Sequence, residues 1–170
     1  GEPYVEAWLR VNYYDQAGNL IKSSDHSGWE YAQKDETISI VFNLPKNSEG
    51  KVISYNAFTI NIEAEKENYY VSAKDKLHIG TPSDIVYEDY GEEKCYYCII
   101  PIENTGTAEI QNGEAVVYFW KGTEIISFET MNLGEIVGNE ITNKKIWYNE
   151  VGNPDIVPDG VTVDYNYANI

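Results

Sequence analysis

Histidine and cysteine are scarce in this chain, two of each, and methionine occurs once. Acyl-transfer catalysis needs a nucleophile, a base and an orienting group, and so small a stock of imidazoles and thiols leaves few ways to assemble them. His26 and His78 stand alone, outside any recognisable motif. Basic residues are also few: 12 Lys and Arg face 28 Asp and Glu, a formal net charge of -16. A polyanion would meet repulsion over most of the surface, so nucleic acid and anionic membranes are poor partners. No apolar run is long enough to span a bilayer, and no transmembrane segment is expected within the chain.

What is present favours strands. Ile, Val and Tyr outnumber Leu and Ala, and β-branched or aromatic side chains fit a half-buried pleated surface better than a helix. Strict alternation marks Val5, Ala7, Leu9, Val11 and Tyr13, and again Ile38, Ile40 and Phe42. It recurs in Phe58, Ile60, Ile62 and Ala64, expected to bury one face, and in Val161, Val163, Tyr165 and Tyr167. Turn clusters separate these runs: Asp15 to Asn19, Pro45 to Gly50, Asn104 to Gly106, Lys121-Gly122, and Gly152 to Gly160. Leu133 to Tyr148 could be argued as a helix, but Gly134, Gly138 and its β-branched content favour strand.

A hairpin is written twice. Leu9 to Ile21 and Ala115 to Ile126 each run an apolar strand into two aromatics, a tight turn and a strand opening with paired aliphatics. Each copy then meets an acidic turn (Lys34-Asp35-Glu36, Gly138-Asn139-Glu140), an alternating strand, a Pro- and Gly-bearing loop and a closing strand. The offset stays near a hundred residues, about the size of one immunoglobulin-like sandwich. The expected fold is therefore all-β, two related antiparallel β-sandwich units in tandem. Gly80 to Asp84 is the linker candidate, giving units 1-80 and 81-170. The second copy has an upstream segment, Cys95 to Glu109, that the first lacks, in which Ile99 to Glu103 reads as an entering strand before a turn; the first is either truncated or completed by another segment such as Tyr69 to Ile79.

Val11 to Asn19 and Glu103-Asn104-Thr105-Gly106 resemble the hairpin and the opening turn of FxLYD-type repeat domains of exported and lipid-anchored bacterial proteins. The second hairpin departs from that pattern, with Lys121 where Asp is expected and a shorter turn. The resemblance covers little more than a third of the chain. It implies a small β-sandwich of the bacterial cell envelope and carries over no catalytic residue. The chain begins Gly1-Glu2-Pro3 without Met, as one trimmed of a leader would, and an excised internal fragment would begin alike.

In a strand, Cys95 and Cys98 point to opposite faces about 10 Å apart, too far for a disulfide, and read as unpaired thiols, one facing in and one out. Zinc would need them joined by His26 and His78, without the usual second closely spaced ligand pair. Calcium would draw on Asn153, Asp155 and Asp159, but Pro154 and Pro158 break the spacing and turn chemistry accounts for all three. Carboxylates such as Asp89, Glu92 and Glu93 fit a solvated strand face. Trp29 with Tyr31, and Trp147 with Tyr148, border polar turns and could form aromatic platforms, although such residues more often fill sandwich cores.

The expectation is a non-catalytic cell-surface or secreted module for protein binding, adhesion or spacing, with no cofactor and no metal. A carbohydrate-binding module accessory to a secreted enzyme is the alternative. The partner would be a protein or a glycan at the cell surface, and any lipid or wall anchor would lie outside this chain.

Overall fold

The computed structural model describes residues 3–25, 30–32, 37, 40, 42–89, 94–148 and 156–169. Among them the regular structure is all-β and antiparallel, apart from one 3-10 turn at Lys74–Lys76. The strands are β1 (Pro3–Tyr14), β2 (Leu20–Asp25), β3 (Glu30–Ala32), β4 (Ala57–Val71), β5 (Leu77–Ile79) and β6 (Val86–Asp89). They continue with β7 (Lys94–Asn104), β8 (Asn112–Lys121), β9 (Glu124–Asn132), β10 (Ile141–Tyr148) and β11 (Gly160–Asn169). The chain divides into two compact units, Pro3–Tyr69 and Tyr70–Ile170. Gly80 to Asp84, which the sequence marks as a linker, runs beside β7 inside the second unit, where Gly80 N–H donates to Pro101 O and Ser83 N–H to Ile99 O.

In the first unit β1 is the organising strand. β2 pairs with its C-terminal half, β3 with its N-terminal half, and β4 also pairs with it. Alternation puts Leu9, Val11 and Tyr13 on one buried face. The β1–β2 turn is held by Asp15, whose carboxylate accepts the N–H groups of Ala17 and Asn19, with Gly18 at φ 83°. Asn47 builds a second loop of the same form, accepting from Glu49 and Lys51, with Gly50 at φ 80°. In both, the left-handed position falls to glycine, which has no Cβ to clash.

Two sequence expectations are corrected here. Ile40 and Phe42 belong to no strand, and Ile38 lies outside the described residues. β4 forms where alternation places it, yet Phe58, Ile60 and Ile62 are 56%, 45% and 62% exposed, so the face expected to be buried is open. Alternation fixes which side chains share a face; it does not supply the layer that covers them.

The second unit has two sheets. β7 is central in one, with β10 along one edge and β5 and β6 in succession along the other. The gap between β5 and β6 is bridged by Ser83, whose hydroxyl accepts the Ile99 N–H while its own N–H reaches Ile99 O. Pro101 sits in the middle of β7, and its missing N–H falls on this interrupted edge, since both backbone groups of a residue in an antiparallel ladder face the same neighbour. The other sheet is β11-β8-β9.

The two sheets share one core. Cys98, Ile100 and Ile102 of β7 are sealed from solvent with Ala115, Val117 and Phe119 of β8, and Met131, Leu133, Ile110 and Ile136 belong to the same cluster. Fully burying each large aliphatic side chain contributes about 1.5–3 kcal/mol. The two hairpins of the chain share one irregularity: the ladder slips between Tyr13 and Tyr14 in β1 and between Phe119 and Trp120 in β8.

Leu133 to Glu140, expected as part of a strand, is a loop, and the strand begins only at Ile141. Gly134 and Asn139 take positive φ (63° and 61°), which breaks an extended run, and Ile136 forms an isolated bridge with Ile110. Asn104 fastens this loop from β7. Its Nδ2 donates to Ala108 O and Ile136 O, and its Oδ1 accepts the Gly106 N–H.

Candidate functional site

The open face of the first unit forms an apolar groove of about 480 Å3. β1 contributes Leu9, Val11 and Tyr13, β4 contributes Phe58, Ile60 and Ile62, and Ile40, Phe42 and Tyr55 line the remainder. Tyr13 meets Tyr55 edge-on, with ring centroids 4.9 Å apart, and its hydroxyl donates to Asn43 O across 3.0 Å. Burial, with the neighbouring Tyr55 phenol, raises the Tyr13 hydroxyl above the ordinary tyrosine value, so it stays protonated as a donor. With that hydroxyl engaged, the lining side chains offer mainly carbon to an occupant. Grouped apolar exposure of this kind marks an interaction surface more often than scattered exposed aliphatics do.

A second feature lies on the outer face of β7 and β10. Trp147 and Tyr97 are cross-strand partners with ring centroids 5.1 Å apart. Lys145 Nζ lies 3.8 Å from the Tyr97 ring and 4.1 Å from the Trp147 ring, and 2.8 Å from Glu88 Oε2. The ammonium therefore lies against both rings as a cation–π partner while pairing with the carboxylate. Of the aromatic pair expected at the surface, Trp147 is half-buried and Tyr148 is buried at 8% exposure, its ring 5.3 Å from that of Phe119 in the core. Strand parity sets this difference, because neighbouring residues on β10 face opposite sides. Trp29 and the Tyr31 side chain lie outside the described residues.

The other candidates are dispersed. Cys98 points into the core and Cys95 is only partly covered; both are free thiols. Burial pushes the Cys98 thiol up to about 11, which makes it unreactive at neutral pH. His78 is exposed on β5 opposite Glu103, and His26 lies outside the described residues. Asp159 accepts the Gly122 N–H and pairs with Lys121, so it fastens the β8–β9 turn, while Asn153 and Asp155 lie outside the described residues. The side chains of Asp89, Glu92 and Glu93 are likewise not described. Among the described residues no three His, Cys, Asp or Glu side chains gather closely enough to hold a metal ion, and no helix is long and apolar enough to cross a membrane.

No protein family, no curated protein and no solved structure matches the chain. The groove was missed in the sequence because β4 reads as an ordinary half-buried strand.

Proposed function

We propose that the chain is a non-catalytic binding or spacer module of the bacterial cell envelope or exterior, built as two immunoglobulin-like units in series, whose first unit holds a protein partner. The open apolar groove carries this reading, since its Phe58, Ile60 and Ile62 are large side chains left facing solvent. The strand order of the second unit supports the immunoglobulin-like part. β5/β6-β7-β10 corresponds to A-B-E, and β11-β8-β9 to F-C-C′, of the immunoglobulin pattern. The shared ladder slip in β1 and β8 supports common descent of the two hairpins.

The test is a photo-crosslinking amino acid placed at Ile62 in the groove or at Ile125, an exposed position on β9, in cells that make the protein. A discrete protein adduct from position 62 and none from 125 is expected. Equal or absent adducts would remove the reading. A carbohydrate-binding role is the second reading, favoured by the Tyr97–Trp147 pair alone. It requires glycan-array binding that is lost on Trp147→Ala.

A further inference from the structure

We infer that the outer face of β7 and β10 carries a binding site for a small quaternary ammonium ion of the choline type, filled in this structure by the chain's own Lys145. Three strands supply its walls. Trp147 of β10 stands opposite Tyr97 of β7, and their rings meet at 63° with centroids 5.1 Å apart, so they form a corner and not a stack. Glu88 of β6 pairs with Cys95, two residues from Tyr97 on the same face, and closes the third side. The Lys145 ammonium sits among them, 3.8 Å and 4.1 Å from the ring centroids and 2.8 Å from the carboxylate. Two π faces and one carboxylate converging on a single nitrogen are the elements that recognise an organic cation. Lys74, by contrast, lies over one ring, that of Tyr165, at 4.8 Å.

Walls and occupant are held unequally. Antiparallel pairing on both sides of β7 fixes the walls, whereas Lys145 reaches its place on a flexible stem, with its side chain 39% exposed and that of Glu88 40% exposed. An ion pair this open to water contributes little, so the lysine can leave without disturbing the sheet. Its departure leaves Glu88 beside two electron-rich rings, in a chain whose net charge of -16 draws cations toward it. The walls then select the ligand. A primary ammonium or an inorganic cation holds a tight hydration shell that the rings cannot replace. A quaternary ammonium carries the same charge, has no N–H to leave unpaired, and lays methyl groups on both faces. Being tethered, Lys145 competes at an effective concentration of about millimolar, which sets the ligand level at which the site opens. An attached phosphate would be repelled by the chain, so the fit is a free cation and not a phosphorylated headgroup.

The probe is choline chloride, titrated at constant ionic strength into the isotope-labelled full chain and followed by NMR. Before addition, the Lys145 ε protons should stand upfield of ordinary lysine, shielded by the rings against which they lie. Saturable binding is expected to move the Trp147 indole signal and return the Lys145 signals to ordinary values. Lys145→Ala removes the competitor and should bind choline about tenfold more tightly. Trp147→Ala abolishes binding, and Glu88→Gln, at a half-exposed position, weakens it at least about tenfold should the tryptophan variant fold poorly. The neutral isostere of choline, with carbon in place of nitrogen, and phosphocholine should each bind at least about tenfold more weakly than choline.

Lys145 signals that stay upfield at saturating choline, equal affinity of Lys145→Ala and the native chain, or binding indifferent to both Trp147→Ala and Glu88→Gln would overturn the inference and leave the lysine a structural partner of the two rings. So would equal binding of the neutral isostere, which would show that charge has no part in recognition. Phosphocholine binding as tightly as choline would overturn the choice of a free cation and assign the site to a phosphorylated headgroup.

Discussion

The Asn104 side chain donates to the Ile136 carbonyl across 2.9 Å, at the same oxygen that accepts the Ile110 N–H. One solvent-inaccessible amide thereby ties the end of β7 to the loop before β10, and all of its hydrogen-bonding groups are used. Asn104→Ala leaves buried backbone groups without partners and is expected to destabilise the chain by about 3 kcal/mol in urea unfolding. A loss below about 1 kcal/mol would show that water replaces the amide without penalty.

Gly138 and Gly50 separate two reasons for glycine. A Cβ at Gly138 would lie 2.4 Å from Thr107 O, a backbone atom that cannot swing away. Gly50 has open space around it but sits at φ 80°. Gly50→Ala should cost about 1 kcal/mol from backbone strain, and Gly138→Ala clearly more, because the clash displaces main chain. Thermal unfolding of the two variants gives the order directly, and the reverse order would contradict the packing of the Thr107 turn.

Cys98 makes the stability sensitive to alkali. Its folded value of about 11 lies above the ordinary 9.0, so the unfolded chain releases the proton first as pH rises. The preference of the buried thiol for the folded state is complete below pH 9 and is lost between 9 and 11, by about 2 kcal/mol. Unfolding measured at pH 8 and pH 10.5 should show a steeper fall for the native chain than for Cys98→Ala. Parallel slopes would mean that the thiol is not desolvated. At neutral pH, mass spectrometry after iodoacetamide treatment should find Cys95 labelled in the folded protein and Cys98 only in denaturant.

Ile100 and Ile60 are the same residue type in unequal settings. Ile100→Ala empties a sealed site between two sheets and should cost about 3–4 kcal/mol, while Ile60→Ala, at 45% exposure, should cost about 1 kcal/mol or less. Comparable losses in chemical denaturation would mean that the groove is closed in solution.

Strands with clean alternation between turn signals were legible: β1, β4 and β11 lie where Val5 to Tyr13, Phe58 to Ala64 and Val161 to Tyr167 place them. Side-chain parity is a local property, and so is a glycine-bearing turn. What failed depends on a partner far along the chain. Ile40 alternates as well as Ile100 does, but a strand exists only where a neighbour accepts its backbone, and β7 has no described counterpart in the first unit. The groove was hidden for the same reason, since a pattern announces a face that wants cover and is silent on whether cover arrives. Tyr148 borders a polar turn in sequence, yet strand parity sends it against Phe119, the core use that such residues more often have.

The paired five-residue loops of the first unit differ in one atom type that matters to acid. The Asn19 side chain, followed by the Asn19 and Ala17 N–H groups, holds the Asp15 carboxyl below its ordinary range, so its tie is present at neutral pH and is released as acid protonates it. Asn47 makes the equivalent bonds with an amide that does not titrate. Acidic surroundings would therefore loosen the side-chain tie at the tip of one hairpin while the amide tie of the other loop persists, giving a single protein one acid-labile bend and one whose fastening carries no proton to gain.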